Sequence, residues 1–258
     1  DQRKALLAER IRSVRAGFVA ALPDKESDIA HHWNTLRHQG WDPAVATALQ
    51  RLAHTLAGSG GTFGFPEISS TARALDESLG QTLRLGASGI DRIRPETLLK
   101  LNEQVDSLLR VIRESRLQAD AAAPVPVMGE RVETTAKPVV VIDDDPFLRE
   151  RMSAVLEAAG YEVVSFETPA RAMPWFQEHQ PGLVLLDLMF PGRRGPAFDV
   201  IADLRGETGQ RTPVAVISGH ADFRSRMEAT RAGADAYLVK PLDEARLLEL
   251  AAQLTAQR

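Results

Sequence analysis

The sequence predicts a multidomain chain: an all-α helical bundle followed by an α/β domain built on a doubly wound, five-stranded parallel sheet. Three observations predict it. The 258 residues exceed the roughly 100–200 of an ordinary single domain. Apolar residues recur at helical spacing up to residue 118, whereas beyond residue 137 short β-branched or leucine-rich runs alternate with helical patterns. Between the two, Pro, Ala and short polar residues crowd the stretch that ends AAAPVPVMGERVETTAK, which reads as a linker. The expected divisions are a bundle over 1–118, a linker over 119–137 and an α/β domain over 138–258.

In the first part, five amphipathic stretches follow one another: Leu7, Ile11, Val14, Phe18; Ile29, Trp33, Leu36; Val45, Leu49, Leu52, Leu56; Ile68, Ala72, Leu75, Leu79; and Leu98, Leu101, Val105, Leu108, Ile112. Asp42-Pro43 has the form of an N-cap followed by proline at the first helical position, and Pro66 and Pro95 open later helices in the same way. Short connections favour antiparallel packing. In the second part the strands are expected at Val139–Ile142, Glu162–Ser165, Leu183–Leu186, Val214–Ile217 and Ala236–Val239. Their apolar residues run continuously, so both faces of the sheet should be covered by helices.

Composition narrows the function. Hydrophobic residues make up 44% and charged residues 26%, and no apolar run approaches a membrane span. The formal charge is −4, with 16 Lys/Arg against 14 Asp/Glu through residue 118 and 15 against 21 after it, so neither part is basic enough to bind nucleic acid. With no cysteine, a disulfide framework, thiolate catalysis and Cys-built zinc sites are excluded, and a reducing, cytoplasmic setting is expected. No signal peptide is found. The chain opens at Asp1 without methionine, and further sequence is expected at either end.

In parallel sheets, ligands bind beyond the carboxyl ends of the strands. Here those ends carry Asp143-Asp144-Asp145, Asp187, Ser218 and Lys240-Pro241. Carboxylates gathered at one point repel each other and call for a hard divalent cation with oxygen ligands, Mg2+ being the expected ion. Lys240 adds a fixed cation and Ser218 a hydroxyl donor, so an anion reaching Asp187 would meet metal, ammonium and hydroxyl together, and a phosphoryl group fits.

These residues resemble the response-regulator receiver domain over about 137–258. Asp143-Asp144 match its acidic pair. Asp187 in LLDLMFPGRRG matches its phosphoacceptor, with Pro191, Gly192 and Gly195 in their usual places. Ser218 matches the hydroxyl position, Lys240-Pro241 the lysine and cis-proline, and Tyr237 the switch aromatic. The resemblance implies a flavodoxin-like fold in which Asp187 attacks a phosphodonor. It also implies Mg2+ bound by Asp144, Asp187 and the backbone carbonyl of Met189, with Asp143 nearby, while Ser218 and Lys240 hold the phosphoryl oxygens. Asp145 is read as a helix cap. VVVIDDDPF also approximates the start of haloacid-dehalogenase-like phosphatases, but Phe147 stands where that family wants Thr or Val, and Asp187 and Tyr237 would be left idle.

In the bundle, the stripe Val45, Leu49, Leu52, Leu56 lies about 140–200° around its helix from His54 at about 100° per residue, so His54 is expected to face solvent. Gly58 falls one turn on, on the same face. A helical glycine costs about 1 kcal/mol relative to alanine, which predicts a close approach there. An exposed imidazole can attack a bulky phosphoryl donor. The run HTLAGSGGTFG resembles the histidine phosphotransfer (HPt) domain, with His54, Gly58, Ser59 and Gly64 at the family's spacing. The resemblance covers roughly residues 1–118 and implies a four-helix-type bundle whose His54 exchanges phosphoryl groups. Ala57 stands where the family commonly has Lys.

Other candidates are weaker. The AGSGGTFG glycines lack a following GK[ST] and make no nucleotide loop. His31, His32 and His38 read as a solvated face, His179 as inert before a turn, and Arg193 and Arg194 as a solvated loop, while His220 could affect water access near Ser218.

The whole reads as a two-component phosphorelay protein, a switch and relay and not a self-sufficient kinase. The expected partners are a sensor or hybrid histidine kinase, other receiver domains, a homodimer partner through the receiver face, and a downstream output domain such as a diguanylate cyclase after residue 258. No nucleic acid or membrane partner is expected within these residues. A docking-only bundle is the binding alternative raised by Ala57. Helical pattern continuing through ESRLQADAAA, then Pro124 and Pro126, suggests a semi-rigid connection, so His54 is expected to exchange mainly with receivers on other chains.

Overall fold

The computed structural model describes residues 2–86, 93–118, 137–190, 199–202, 212–219 and 223–256. The chain divides into two units, one of residues 15–124 and one of residues 1–14 with 125–258.

Four helices occupy the first part: α1 (Gln2–Gln39), α2 (Pro43–Thr62), α3 (Pro66–Gly86) and α4 (Pro95–Gln118). The sequence reading expected five. Its first two stretches are one helix, with Pro23 inside. Leu22 and Ile29, both fully buried, are two helical turns apart, so the apolar stripe passes the proline without changing face and packing outweighs the lost backbone hydrogen bond. Asp42 caps α2 as its position predicts, its side chain accepting from the Ala44 N–H at 2.7 Å with Pro43 at the first helical position. Within residues 15–124, Phe18 stacks on Phe63 at 4.7 Å between centroids, and buried Trp33 donates from Nε1 to Asn102 of α4 at 3.0 Å. Buried Leu49 and Leu56 of α2, Leu75 and Leu79 of α3, and Leu101, Val105 and Leu108 of α4 complete the core.

The other unit is a five-stranded sheet in the order β2-β1-β3-β4-β5 with every pairing parallel. Its strands are β1 (Val139–Ile142), β2 (Val163–Phe166), β3 (Leu183–Asp187), β4 (Val214–Ser218) and β5 (Ala236–Val239). The flanking helices are α5 (Pro146–Ala159), α6 (Pro169–Glu178), α7 (Phe223–Ala232) and α8 (Glu244–Ala256), and residues 199–202 are also helical. Strands β1, β3 and β4 are buried throughout, as their unbroken apolar runs require. One face packs on α5 and α8, and the other on α6 and α7.

Leu7 and Ile11, which the helical stripe assigns to the bundle, lie in the core cluster of this unit beside Met152 and Val155. Arg10, between them in sequence, donates from Nε to Glu150 at 2.7 Å and also reaches Glu157. Arg151 of α5 and Glu244 of α8 form a buried ion pair at 2.7 Å. Among the described residues, no helix is long and apolar enough to cross a membrane.

Candidate functional site

The order of the sheet decides where chemistry collects. Strands β1 and β3 are neighbours at its centre, and their chain continuations leave the same edge. Asp187 is the last residue of β3 and Ser218 the last of β4, each strand running one residue past the end expected from the sequence. Asp143 directly follows β1 and Lys240 directly follows β5. Carboxylate oxygens of Asp143, Asp144 and Asp187 all lie within 4.8 Å of one another. Lys240 reaches across to them, its Nζ donating to Asp143 Oδ2 at 2.9 Å and to Asp187 Oδ2 at 3.1 Å.

Backbone donors hold the other oxygens. Asp143 Oδ1 accepts from the Asp145 N–H at 2.9 Å, and Asp187 Oδ1 accepts from the Leu188 N–H at 2.7 Å. Asp145 turns away as the α5 cap, accepting from Phe147 at 2.9 Å and Leu148 at 3.3 Å. Arg149, which the sequence reading passed over, donates to the Asp143 carbonyl at 2.5 Å.

Asp143, Asp187 and Lys240 are each no more than 3% exposed, and Ser218 is fully buried. Burial pushes the Asp143 carboxyl up to about 7, with Asp187 and Asp145 adding to the rise and Lys240 opposing it. For Lys240, burial works against the charge, but the attraction of Asp143 and Asp187 outweighs it and holds the ammonium above the ordinary lysine value. One ammonium is thus set against three carboxylates. That donor set, all oxygen and short of positive charge, fits a hard divalent cation.

Met189 is half-buried two residues after Asp187. Tyr237 is half-buried in β5, with the Arg226 guanidinium of α7 5.7 Å from its ring centroid. Lys240-Pro241 is a cis peptide bond. Pro191, Gly192, Arg193, Arg194, Gly195, His220 and residues 119–136 lie outside the described residues.

The bundle corrects one expectation. His54 does not face solvent: it is 6% exposed and its Nδ1 lies 2.8 Å from Asp76 Oδ2 of α3. The stripe of large apolar residues understates how much of α2 is covered. Ala46, Ala53, Ala57, Gly58, Ser59 and Gly60 are buried as well, and such small residues admit a neighbouring backbone on a second face. A Cβ on Gly60 would stand 3.0 Å from the Ser69 amide nitrogen of α3, so the close approach expected at Gly58 is seen at Gly60. Gly58 itself is buried, its carbonyl accepting from Thr62 Oγ1 at 3.3 Å. Ala57, in the position the family commonly gives to Lys, is buried, and its carbonyl accepts from Ser69 Oγ at 2.5 Å.

The sequence reading also missed Asp76. It was detectable as an acid four residues after Ala72 and three before Leu79, inside the apolar stripe of α3. His31 and His38 are exposed, and His32 donates locally from Nδ1 to the Asp28 carbonyl at 2.7 Å. His179 ends α6 and stacks on Trp175.

Two family models match the chain: the Hpt domain over residues 13–114 and the response regulator receiver domain over residues 139–252. Among curated proteins, the transcriptional regulatory protein KdpE of Mycobacterium tuberculosis is 39% identical over 103 residues, which are 40% of this chain and 44% of that protein. The DNA-binding response regulator MtrA of Mycolicibacterium smegmatis is 34% identical over 110 residues, 43% of this chain and 46% of that one. The chain therefore spans less than half the length of these relatives. Among solved structures, the receiver domain of NtrX from Brucella abortus is 25% identical, with a TM-score of 0.43 covering 46% of this chain and 99% of that one. Nothing in these matches favours the phosphatase or cyclase alternatives. With an Hpt domain and a receiver domain on one polypeptide, the chain belongs to the two-component phosphorelay proteins.

Proposed function

We propose that Asp187 accepts the phosphoryl group of the receiver and that His54 exchanges phosphoryl groups with receiver aspartates. The observation that carries the first half is the placement of the Lys240 ammonium at 2.9 Å from Asp143 and 3.1 Å from Asp187, beside a third carboxylate within 4.8 Å. In the step, an Asp187 carboxylate oxygen forms a bond to phosphorus as the bond from phosphorus to the donor's nitrogen or oxygen breaks. Lys240, released from shared duty between two carboxylates, turns its positive charge to the incoming phosphoryl oxygens, and the Ser218 hydroxyl donates to another. Asp143, Asp144, Asp187 and the Met189 carbonyl would hold Mg2+, which supplies charge neutralisation for the phosphoryl oxygens. Tyr237, packed near Arg226 on β5, is the side chain that reports the change to the α7–β5–α8 face.

The phosphoryl partners are a histidine kinase and other receiver domains in the cytoplasm. An output domain beyond residue 258 and a homodimer through the α7–β5–α8 face extend the same reading. The relatives, a transcriptional regulatory protein and a DNA-binding response regulator, support a longer regulator.

Incubation with radiolabelled acetyl phosphate tests the reading. Label is expected on Asp187 in the presence of Mg2+, and it should vanish in Asp187→Asn and in EDTA. Label retained undiminished under either condition overturns it.

A further inference from the structure

The first fourteen residues of the chain divide with the α/β unit, although the helix they begin continues into the bundle. Leu7 and Ile11, one helical turn apart, are 5% and 1% exposed and lie in the core cluster that holds Met152, Val155 and Leu156 of α5. Arg10, between them in sequence, pairs with Glu150 at 2.7 Å and also with Glu157, two turns apart on α5. Leu6, off that stripe, is 67% exposed. The covered side of this segment is therefore the side that meets α5, and residues 2–14 form an arm along it.

The surface under the arm begins at the acidic site. Asp145, next in sequence to Asp143 and Asp144, is the cap of α5, and Arg149, the fourth residue of the helix, donates to the Asp143 carbonyl. Glu150, which anchors the arm, is the next residue. A folded protein that docks to deliver a phosphoryl group covers about 800 Å² of its partner, a disc of roughly 16 Å radius. The 14 residues of α5 span about 21 Å. A disc centred on Asp187 therefore overlaps the first turns of α5 and the arm that lies on them, whereas a donor the size of acetyl phosphate needs only the mouth of the site.

We propose that residues 2–14 are an autoinhibitory arm, which admits small phosphodonors to Asp187 and holds off folded ones until it is displaced from α5. The proposal rests on the reading of Asp187 as the phosphoacceptor and adds a control over which donor reaches it. The anchors suit release. The Arg10, Glu150 and Glu157 side chains are 37%, 46% and 41% exposed, so their pairing holds the arm only weakly and is screened by salt. Two apolar side chains carry the rest of the attachment, and a docking helix with an apolar stripe of its own competes for the same surface. An arm kept only for stability would, when loosened, slow phosphorylation by every donor alike.

Two donors separate these roles. The folded donor is the Asp187→Asn chain carrying label on His54 from phosphoramidate, and the small donor is labelled acetyl phosphate. The acceptors are the His54→Gln chain and the same chain with Arg10→Glu or with Leu7→Asp; Arg10→Glu alters a part-exposed side chain and leaves both apolar anchors in place. For an arm open about one-tenth of the time, transfer from the folded donor is expected to rise about 10-fold in the Leu7→Asp acceptor and by less in Arg10→Glu. Labelling by acetyl phosphate should stay unchanged in all three. Equal rates from the folded donor overturn the arm's role, and so do parallel losses with both donors. Acetyl phosphate that labels none of the acceptors overturns the reading of Asp187, and the proposal falls with it. A donor chain that takes no label overturns the reading of His54 instead; the arm is then decided by sedimentation of the two chains together, where association should tighten with Leu7→Asp and unchanged association overturns the proposal.

Discussion

At the sheet edge, two of three clustered carboxylates share one lysine, whereas in the bundle one carboxylate is shared between one histidine and one amide. The first arrangement leaves negative charge in excess, and its mark is an Asp143 carboxyl pushed up to about 7 by burial beside its neighbours. The second gives each Asp76 oxygen a donor. A site short of positive charge is suited to receive a cation and a phosphoryl group together, while a satisfied pair is suited to hold one nucleophile still. The difference also sets what each region loses when a partner is removed. Deleting the cation of the receiver strands two buried carboxylates, but deleting an exposed cation of the bundle strands almost nothing.

The largest effect on stability is expected for Lys240→Met. Breaking a buried ion pair by removing one partner costs roughly 3–5 kcal/mol because the remaining charge is left uncompensated. The loss should be read in the full chain from faster amide hydrogen exchange in β1 and β3, with α2 and α3 unchanged. Added Mg2+ should recover part of it. Exchange that accelerates equally in α2 and α3 would break the distinction between the regions.

A smaller effect is expected at Arg151, whose guanidinium pairs with Glu244 at 2.7 Å with both side chains buried. Burial works against the Arg151 charge and lowers its pKa, with Glu244 opposing the shift, so part of the attraction is spent on desolvation. Arg151→Met alone should destabilise the α/β unit by a few kcal/mol, roughly at the low end of the 3–5 range for a broken buried pair. Arg151→Met with Glu244→Leu should recover most of that, since two apolar side chains replace two desolvated charges. A double variant as unstable as the single one would mean that Glu244 is held by something other than Arg151.

Most of the architecture was legible in the sequence, and the exceptions have physical causes. The strands β1 and β5 fall where their apolar runs place them, β2 is one residue later, and β3 and β4 each run one residue longer; for β1, β3 and β4 a run buried between two neighbours leaves little choice of position. The sheet-edge residues were legible because each is adjacent in sequence to a strand end. Pro23 concealed the continuity of α1, which only the two-turn interval from Leu22 to Ile29 discloses. His54 was misplaced at the surface because periodicity weighs large apolar side chains, and the second covered face of α2 is made of alanine, glycine and serine. Asp76 and Gln50 come from two helices with no shared motif, and only the packing of α2 on α3 brings them together.

The smallest effect is expected in the bundle, at Glu26. Its Oε1 lies 2.6 Å from Arg113 Nε and its Oε2 3.2 Å from Arg116 Nη1, tying α1 to α4 by two ion pairs that are shorter on average than those of Lys240. Distance alone would rank this network first. Exposure reverses the ranking: the Arg113 side chain is 60% exposed, so its charge is already well solvated and gains little from the pair. Exposed pairs contribute about 0.2–1 kcal/mol, and ordering two long side chains offsets part of that. Glu26→Gln should therefore cost less than about 1 kcal/mol, with the difference shrinking further in high salt as the remaining attraction is screened. Denaturant unfolding of the full chain at low and high ionic strength measures it, alongside Lys240→Met under the same conditions. A salt-insensitive loss of several kcal/mol at Glu26 would mean that the pair is shielded from water in solution, and that burial does not separate the two regions in the way their charges suggest.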